Sequence, residues 1–135
     1  SPEPLSLETI AHFSITRNLQ ESTLNNLIDH WLDRYNITLQ SSYYTSDYDT
    51  QIAMCGEGFT SAFCPLMVLN QVIEYNHCHD KKKQVVIFPL AEINAYLRVD
   101  VVTQKNIPQP LFLDKFAELL QIEARKVYEK IKLYN

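Results

Sequence analysis

The sequence predicts an α/β domain with three layers around a mixed, mostly parallel sheet. Two observations carry this. Short β-rich runs alternate with amphipathic runs at helical spacing, the signature of βαβ units. The 135 residues are 46% hydrophobic and 21% charged, enough for one core of ordinary composition. No apolar run approaches the roughly 20 residues of a membrane helix, so no membrane association is expected.

The elements follow in order. Residues 5–11 read as a short helical turn capped by Ser6. Phe13, Ser14, Ile15 and Thr16 alternate apolar with polar and predict a strand. Residues 21–35 place Leu24, Leu27, Ile28, Trp31 and Leu32 on one helical stripe. Residues 37–44 are β-rich. Thr45 or Ser46 then caps a helix that carries Asp47 and Asp49 in its first turn, where the helix dipole favours acids. That helix is expected to stop at Gly56 in a left-handed cap.

Gly56 and Gly58 are the only glycines of the chain. An apolar strand over 59–64 follows them. Pro65 suits the start of a helix over 66–75, with Leu66, Leu69, Val72 and Ile73 on one face. Residues 76–83 form a polar loop. Two further strands are expected over 84–90 and 93–103. A long amphipathic helix over 111–133 closes the chain, with Leu111, Phe112, Phe116, Leu119, Leu120, Val127 and Ile131 in its stripe.

Charge and cysteine usage narrow the function classes. Net charge is −4, and it is unevenly spread. Residues 1–75 hold only Arg17 and Arg34 against nine acids, which would repel a phosphate backbone. The run Lys81-Lys82-Lys83 reads as a solvated loop. Three cysteines (Cys55, Cys64 and Cys78) make an odd count, and Ser1-Pro2-Glu3-Pro4 does not resemble a secretory leader. No disulfide framework is expected, and the reducing cytoplasm is the expected setting.

Ligands of parallel sheets bind beyond the carboxyl ends of the strands. Here those ends are Thr16-Arg17-Asn18, Tyr43-Tyr44-Thr45-Ser46 and Phe63-Cys64. Thr45 and Ser46 either cap a helix or present its amino terminus to an anion. Arg17 either pairs with Glu21 or meets an anionic ligand. One of Tyr43 and Tyr44 faces the ligand side, because strand side chains alternate. His77-Cys78-His79-Asp80 carries metal-ligand types but lacks a Cys-x-x-Cys partner, so a polar loop is expected and no metal or cofactor. Cys55 and Cys64 read as core thiols, with no acid–base pair to suggest an enzyme.

In this order the chain resembles the effector-binding domain of LysR-type transcriptional regulators, a periplasmic-binding-protein-like fold of type 2. The resemblance rests on Ser6–Ala11, Phe13-Ser14-Ile15, the helix over 21–35 and the strand over 37–44. It continues through the helix over 46–55, Gly56-Glu57-Gly58 and the apolar run to Pro65. The closing match is a short strand ending at Pro89, a long alternating strand over 94–103 and an amphipathic helix introduced by Pro108. It implies that residues 1–92 are the second lobe, 93–103 the crossing strand and 104–135 the carboxy-terminal helix of the first lobe.

It also implies an effector-sensing role. The effector is a small molecule, expected to be anionic, contacting Thr16, Arg17, Asn18, Tyr43, Tyr44, Thr45 and Ser46. A homo-oligomer is expected. DNA is contacted only through a region outside this chain. The alternatives are a solute-binding domain of another periplasmic-binding-like protein and, more distantly, an enzyme on that fold.

Overall fold

A computed structural model describes residues 2–19, 22–45, 47–93, 105 and 111–134. The chain divides into two units, Ser1–Leu97 and Arg98–Asn135. The first unit opens with α1 (Leu7–Ile10), β1 (Ser14–Asn18), α2 (Thr23–Arg34) and β2 (Gln40–Thr45). It continues with α3 (Tyr48–Gly56), β3 (Ser61–Ala62), a 3₁₀ turn over Leu66–Val68 and α4 (Leu69–His77). The second unit contributes α5 (Phe112–Tyr134).

The three strands form one parallel sheet in the order β2-β1-β3. The path β1–α2–β2 moves one way across the sheet, and β2–α3–β3 moves back over β1. Right-handed crossovers in opposite directions lay their helices on opposite faces, which is the three-layer arrangement. The apolar core divides accordingly. Leu7, Ile28 and Leu32 anchor one cluster, joined by Leu24, Trp31, Ile37 and Leu39. Ile52, Val68 and Val72 anchor the other, joined by Tyr48, Tyr75, Val85 and Ile87.

Two helices end in the same device. After α2, the Asn36 N–H bonds Asp33 O (3.1 Å) and the Ile37 N–H bonds Leu32 O (2.9 Å), with Asn36 at φ 54°. After α3, the Gly58 N–H bonds Cys55 O (2.9 Å) and the Phe59 N–H bonds Met54 O (3.1 Å), with Gly58 at φ 79°. Both are Schellman motifs, in which one left-handed residue lets the chain reverse and satisfy the last carbonyls. Asparagine tolerates that conformation better than other side-chain-bearing residues.

Several expectations are corrected. Gly56 is not the left-handed residue: it is the last residue of α3, and Gly58 makes the turn. Gly56 instead lets a ring approach, since a Cβ there would lie 2.7 Å from ring carbons of Tyr75. β3 is two residues long rather than six. The Thr60 hydroxyl supplies part of the missing pairing by bonding Ser14 O (2.9 Å). α4 runs on to His77, two residues further than expected, and a 3₁₀ turn covers Lys81–Lys83.

The segment 84–90 is not a strand. The Asn76 side chain occupies the backbone of Val85, accepting from its N–H (2.7 Å) and donating to its carbonyl (2.9 Å). The far end makes only a bridge, in which Leu5 bonds Pro89 O and Ala91 N. The strand expected over 93–103 lies, beyond Ile93, outside the described residues.

α5 has 23 residues, about 34 Å at 1.5 Å per residue. Its amphipathic stripe has no cover among the described residues of its own unit.

Both glycine requirements are open to substitution. Gly56→Ala is expected to lower stability by about 1–3 kcal/mol through displacement of Tyr75. Gly58→Ala has free space around it and is expected to cost about 1–2 kcal/mol through the backbone alone. Urea unfolding measures both. Relieving Tyr75 with Tyr75→Ala should reduce the Gly56→Ala cost and leave the Gly58→Ala cost unchanged.

Candidate effector site

The carboxyl ends of β1 and β2 are brought level by the sheet register. Thr16 pairs with Tyr43, Arg17 with Tyr44 and Asn18 with Thr45, after a bulge that skips one residue of β2. Six of the seven expected site residues therefore share one sheet edge. The seventh, Ser46, lies outside the described residues.

The α3 cap differs from expectation. Neither Thr45 nor Ser46 caps it: the Asp47 carboxylate accepts from the Thr50 N–H (2.7 Å) and from the Thr50 hydroxyl (2.9 Å). The Thr45 hydroxyl instead donates to Asp47 O (3.1 Å). A carboxylate is a strong cap because it satisfies an orphan N–H and complements the positive end of the helix dipole. It also places a negative charge at that amino terminus, against the anion site imagined there.

Arg17 is already engaged. Its guanidinium lies 2.7 Å from the Asp29 carboxylate of α2 and reaches Asn25 O (3.4 Å). The arginine side chain is 16% exposed and that of the aspartate 54%. The pair is thus asymmetric: the cation is held in the wall, and its counter-ion stands in solvent. Glu21, the partner considered from sequence, lies outside the described residues.

Asn18 is the hub that sequence reading did not resolve. Its carboxamide oxygen accepts from Gln51 Nε2 (2.6 Å), and its nitrogen donates to the Tyr48 hydroxyl (3.5 Å). The Asn18 carbonyl accepts from the Asn25 side chain (3.3 Å). Asn18 thus ties β1 to both flanking helices. Thr16 is buried, and its hydroxyl donates to the Thr60 hydroxyl (2.9 Å), which fixes β1 against the start of β3. Gln51 is 2% exposed, and its carbonyl oxygen has no partner among the described residues. The available signal was a polar residue on the buried α3 face that also carries Ile52. Tyr43 and Tyr44 are both exposed.

Behind this edge, Cys55 and Cys64 line one cavity. Burial, and secondarily the neighbouring Cys64, push the Cys55 thiol up to about 11. Cys64 is an exposed residue, yet enough protein surrounds its thiol for burial to push it up as well. It is therefore not the core thiol expected. Protonated thiols at neutral pH are poor nucleophiles. Among the described residues no group of three or more His, Cys, Asp or Glu converges as a metal site. His79 stacks on Tyr75 at 3.9 Å between ring centroids.

The thiols give a pH-dependent expectation. Iodoacetamide is expected to modify exposed Cys78 first at pH 7.5, with Cys55 reacting only as pH approaches 11. Because the Cys55 pKa is raised on folding, the unfolded chain loses its proton first. The stability this thiol contributes is full below pH 9 and is lost as pH rises towards 11. Unfolding midpoints across that range measure the decline, and Cys55→Ala should flatten it.

A family model described as the LysR substrate binding domain matches residues 1–125. No curated protein and no solved structure matches the chain at a significant level. The matched span holds the whole first unit, including the sheet edge with Thr16, Arg17 and Asn18. The chain belongs to the LysR substrate-binding domain family, and it is the effector-binding region of a LysR-type regulator with that family's periplasmic-binding-like α/β fold.

Proposed function

We propose that this region senses a small anionic effector at the carboxyl edge of its parallel sheet. The observation that carries the reading is the hub at Asn18, where β1, α2 and α3 meet through side-chain hydrogen bonds. A ligand inserted there would bear on three elements at once. Thr16, Arg17 and Asn18 line one strand end, and Tyr43, Tyr44 and Thr45 the other; Ser46, the next residue in the chain, completes the proposed contact set. With Asp47 capping α3, the anionic preference falls on Arg17, whose exposed partner Asp29 would be displaced by the ligand carboxylate. Such binding shifts a population only if it favours one of two states.

The remaining parts of the reading follow the family. Residues 1–92 form the second lobe, 93–103 the crossing strand and 104–135 the carboxy-terminal helix of the first lobe. The region has no enzymatic activity and works in the cytoplasm as part of a homo-oligomer. No helix among the described residues is long and apolar enough to cross a membrane. DNA is contacted by a region outside these 135 residues, in keeping with the acidic first part of the chain. A solute-binding role has no observation of its own in its favour.

Titration calorimetry with a panel of small carboxylates and their neutral amides tests the site. For a carboxylate that binds, Arg17→Gln is expected to weaken affinity about tenfold or more, and Asp29→Asn to strengthen it by removing the competitor. The amide should respond to neither. Equal responses of acid and amide would refute the anionic assignment.

Oligomerisation is tested at α5. Sedimentation equilibrium of the 135-residue chain should show self-association that Leu120→Lys reduces, because a charge in the stripe removes the apolar contact. A compact monomer unaffected by that substitution would refute it.

A further inference from the structure

We propose that Gln51, which meets no effector itself, is a positioning residue. It fixes which atom of the Asn18 carboxamide faces the sheet edge, and so selects carboxylates that carry a second hydrogen-bond acceptor. This rests on the effector edge proposed above and adds a specificity to it.

The two ends of a carboxamide have nearly the same shape and opposite hydrogen-bonding roles. Which end of Asn18 points where is therefore decided by its neighbours. Tyr48 does not decide it, because a hydroxyl both donates and accepts. Gln51 does. Its Nε2 donates to Asn18 Oδ1 at 2.6 Å, the shortest bond of the hub. That bond holds the Asn18 oxygen against α3 and leaves the nitrogen a single long contact, 3.5 Å to the Tyr48 hydroxyl.

Gln51 cannot turn round cheaply. It is 2% exposed, and its Oε1 is buried without a partner among the described residues. Reversal would put the NH₂ group in that closed place and leave two N–H groups unpaired instead of one carbonyl oxygen. Buried N–H groups without a partner are rarer in folded proteins than buried carbonyls without one. The orphaned oxygen is thus the less costly arrangement, and it locks the nitrogen towards Asn18.

The consequence appears at the edge. Asn18 is half-buried, and its Nδ2 carries two N–H groups with one long bond among the described residues. Arg17, its neighbour in β1, bears donors only. Adjacent strand residues send their side chains to opposite faces, Arg17 towards α2 and Asn18 towards α3. A ligand lying across the end of β1 therefore meets a donor on each side. It needs a carboxylate for Arg17 and an acceptor, such as a carbonyl oxygen or a ring nitrogen, for Asn18. A ligand with an N–H in that place would face another N–H, or would have to break the Gln51 bond to turn Asn18.

Oxazole-4-carboxylate and pyrrole-2-carboxylate, with their acetate and propanoate homologues, are near-isosteric pairs. Each pair presents an acceptor nitrogen or an N–H at the same ring position. In calorimetric titration of the 135-residue chain, the best oxazole is expected to bind about tenfold more tightly than its pyrrole partner. Gln51→Met removes the donor and lets Asn18 turn, so the preference should fall to about twofold or less. Gln51→Glu should reverse the preference at pH 9, where even a carboxyl raised by burial is ionised and accepts from Asn18 Nδ2. A packing role alone would weaken both partners equally and reverse nothing. Equal affinity of the two partners for the unsubstituted chain overturns the inference, as does a preference that survives both substitutions. Arg17→Gln separates this from the anionic reading, because it should weaken both partners alike. No binding of any of these carboxylates, or binding indifferent to Arg17, overturns that reading and this inference with it.

Discussion

The structure depends on β1 being paired on both sides. It is the only strand of the described sheet with two neighbours, and both are parallel to it. Parallel strands buried under helices must carry apolar or internally satisfied side chains. β1 meets this with Ile15, which is 1% exposed, and with Thr16, equally buried but hydrogen-bonded to Thr60. Once β1 is central, the hand of its crossovers fixes which helix lies on which face. The two apolar clusters follow from that, and so does the meeting of α2 and α3 at the carboxyl end of the strand.

The helices and their order were legible because their signal is periodic. The α2 stripe is buried where spacing predicts, with Ile28 and Leu32 at its centre. The strands were less legible because their pairing depends on groups far away in sequence. Residues 84–90 have every local mark of a strand, yet a single side chain, Asn76, takes the backbone sites a neighbour would need. β-propensity describes a fit to a half-buried surface, not a commitment to pair. The short β3 has a related cause: Thr60 supplies by hydroxyl what a longer ladder would supply by backbone.

The candidate site was legible in position but not in partnership. The rule that ligands gather at strand carboxyl ends pointed to Thr16, Arg17 and Asn18 without any structure. What Arg17 touches could not be read, since Asp29 lies twelve residues away on another element and competes only because β1 and α2 are packed together. The α3 cap is a different kind of error. Thr45, Ser46 and Asp47 are all competent caps, and choosing among them requires the backbone turn. The choice matters chemically, because a carboxylate cap makes that helix end unattractive to an anion.

Gln51 bonds the sheet-edge residue Asn18 and lines the cavity behind it. A polar side chain on the buried face of a helix is tolerated only if its groups are used. Its nitrogen is used at Asn18, in the network that holds β1 against α3. Replacing it by an apolar residue would leave Asn18 without its donor. The sequence keeps the polar residue, so the hub at the sheet edge and the space behind it are bound by one side chain.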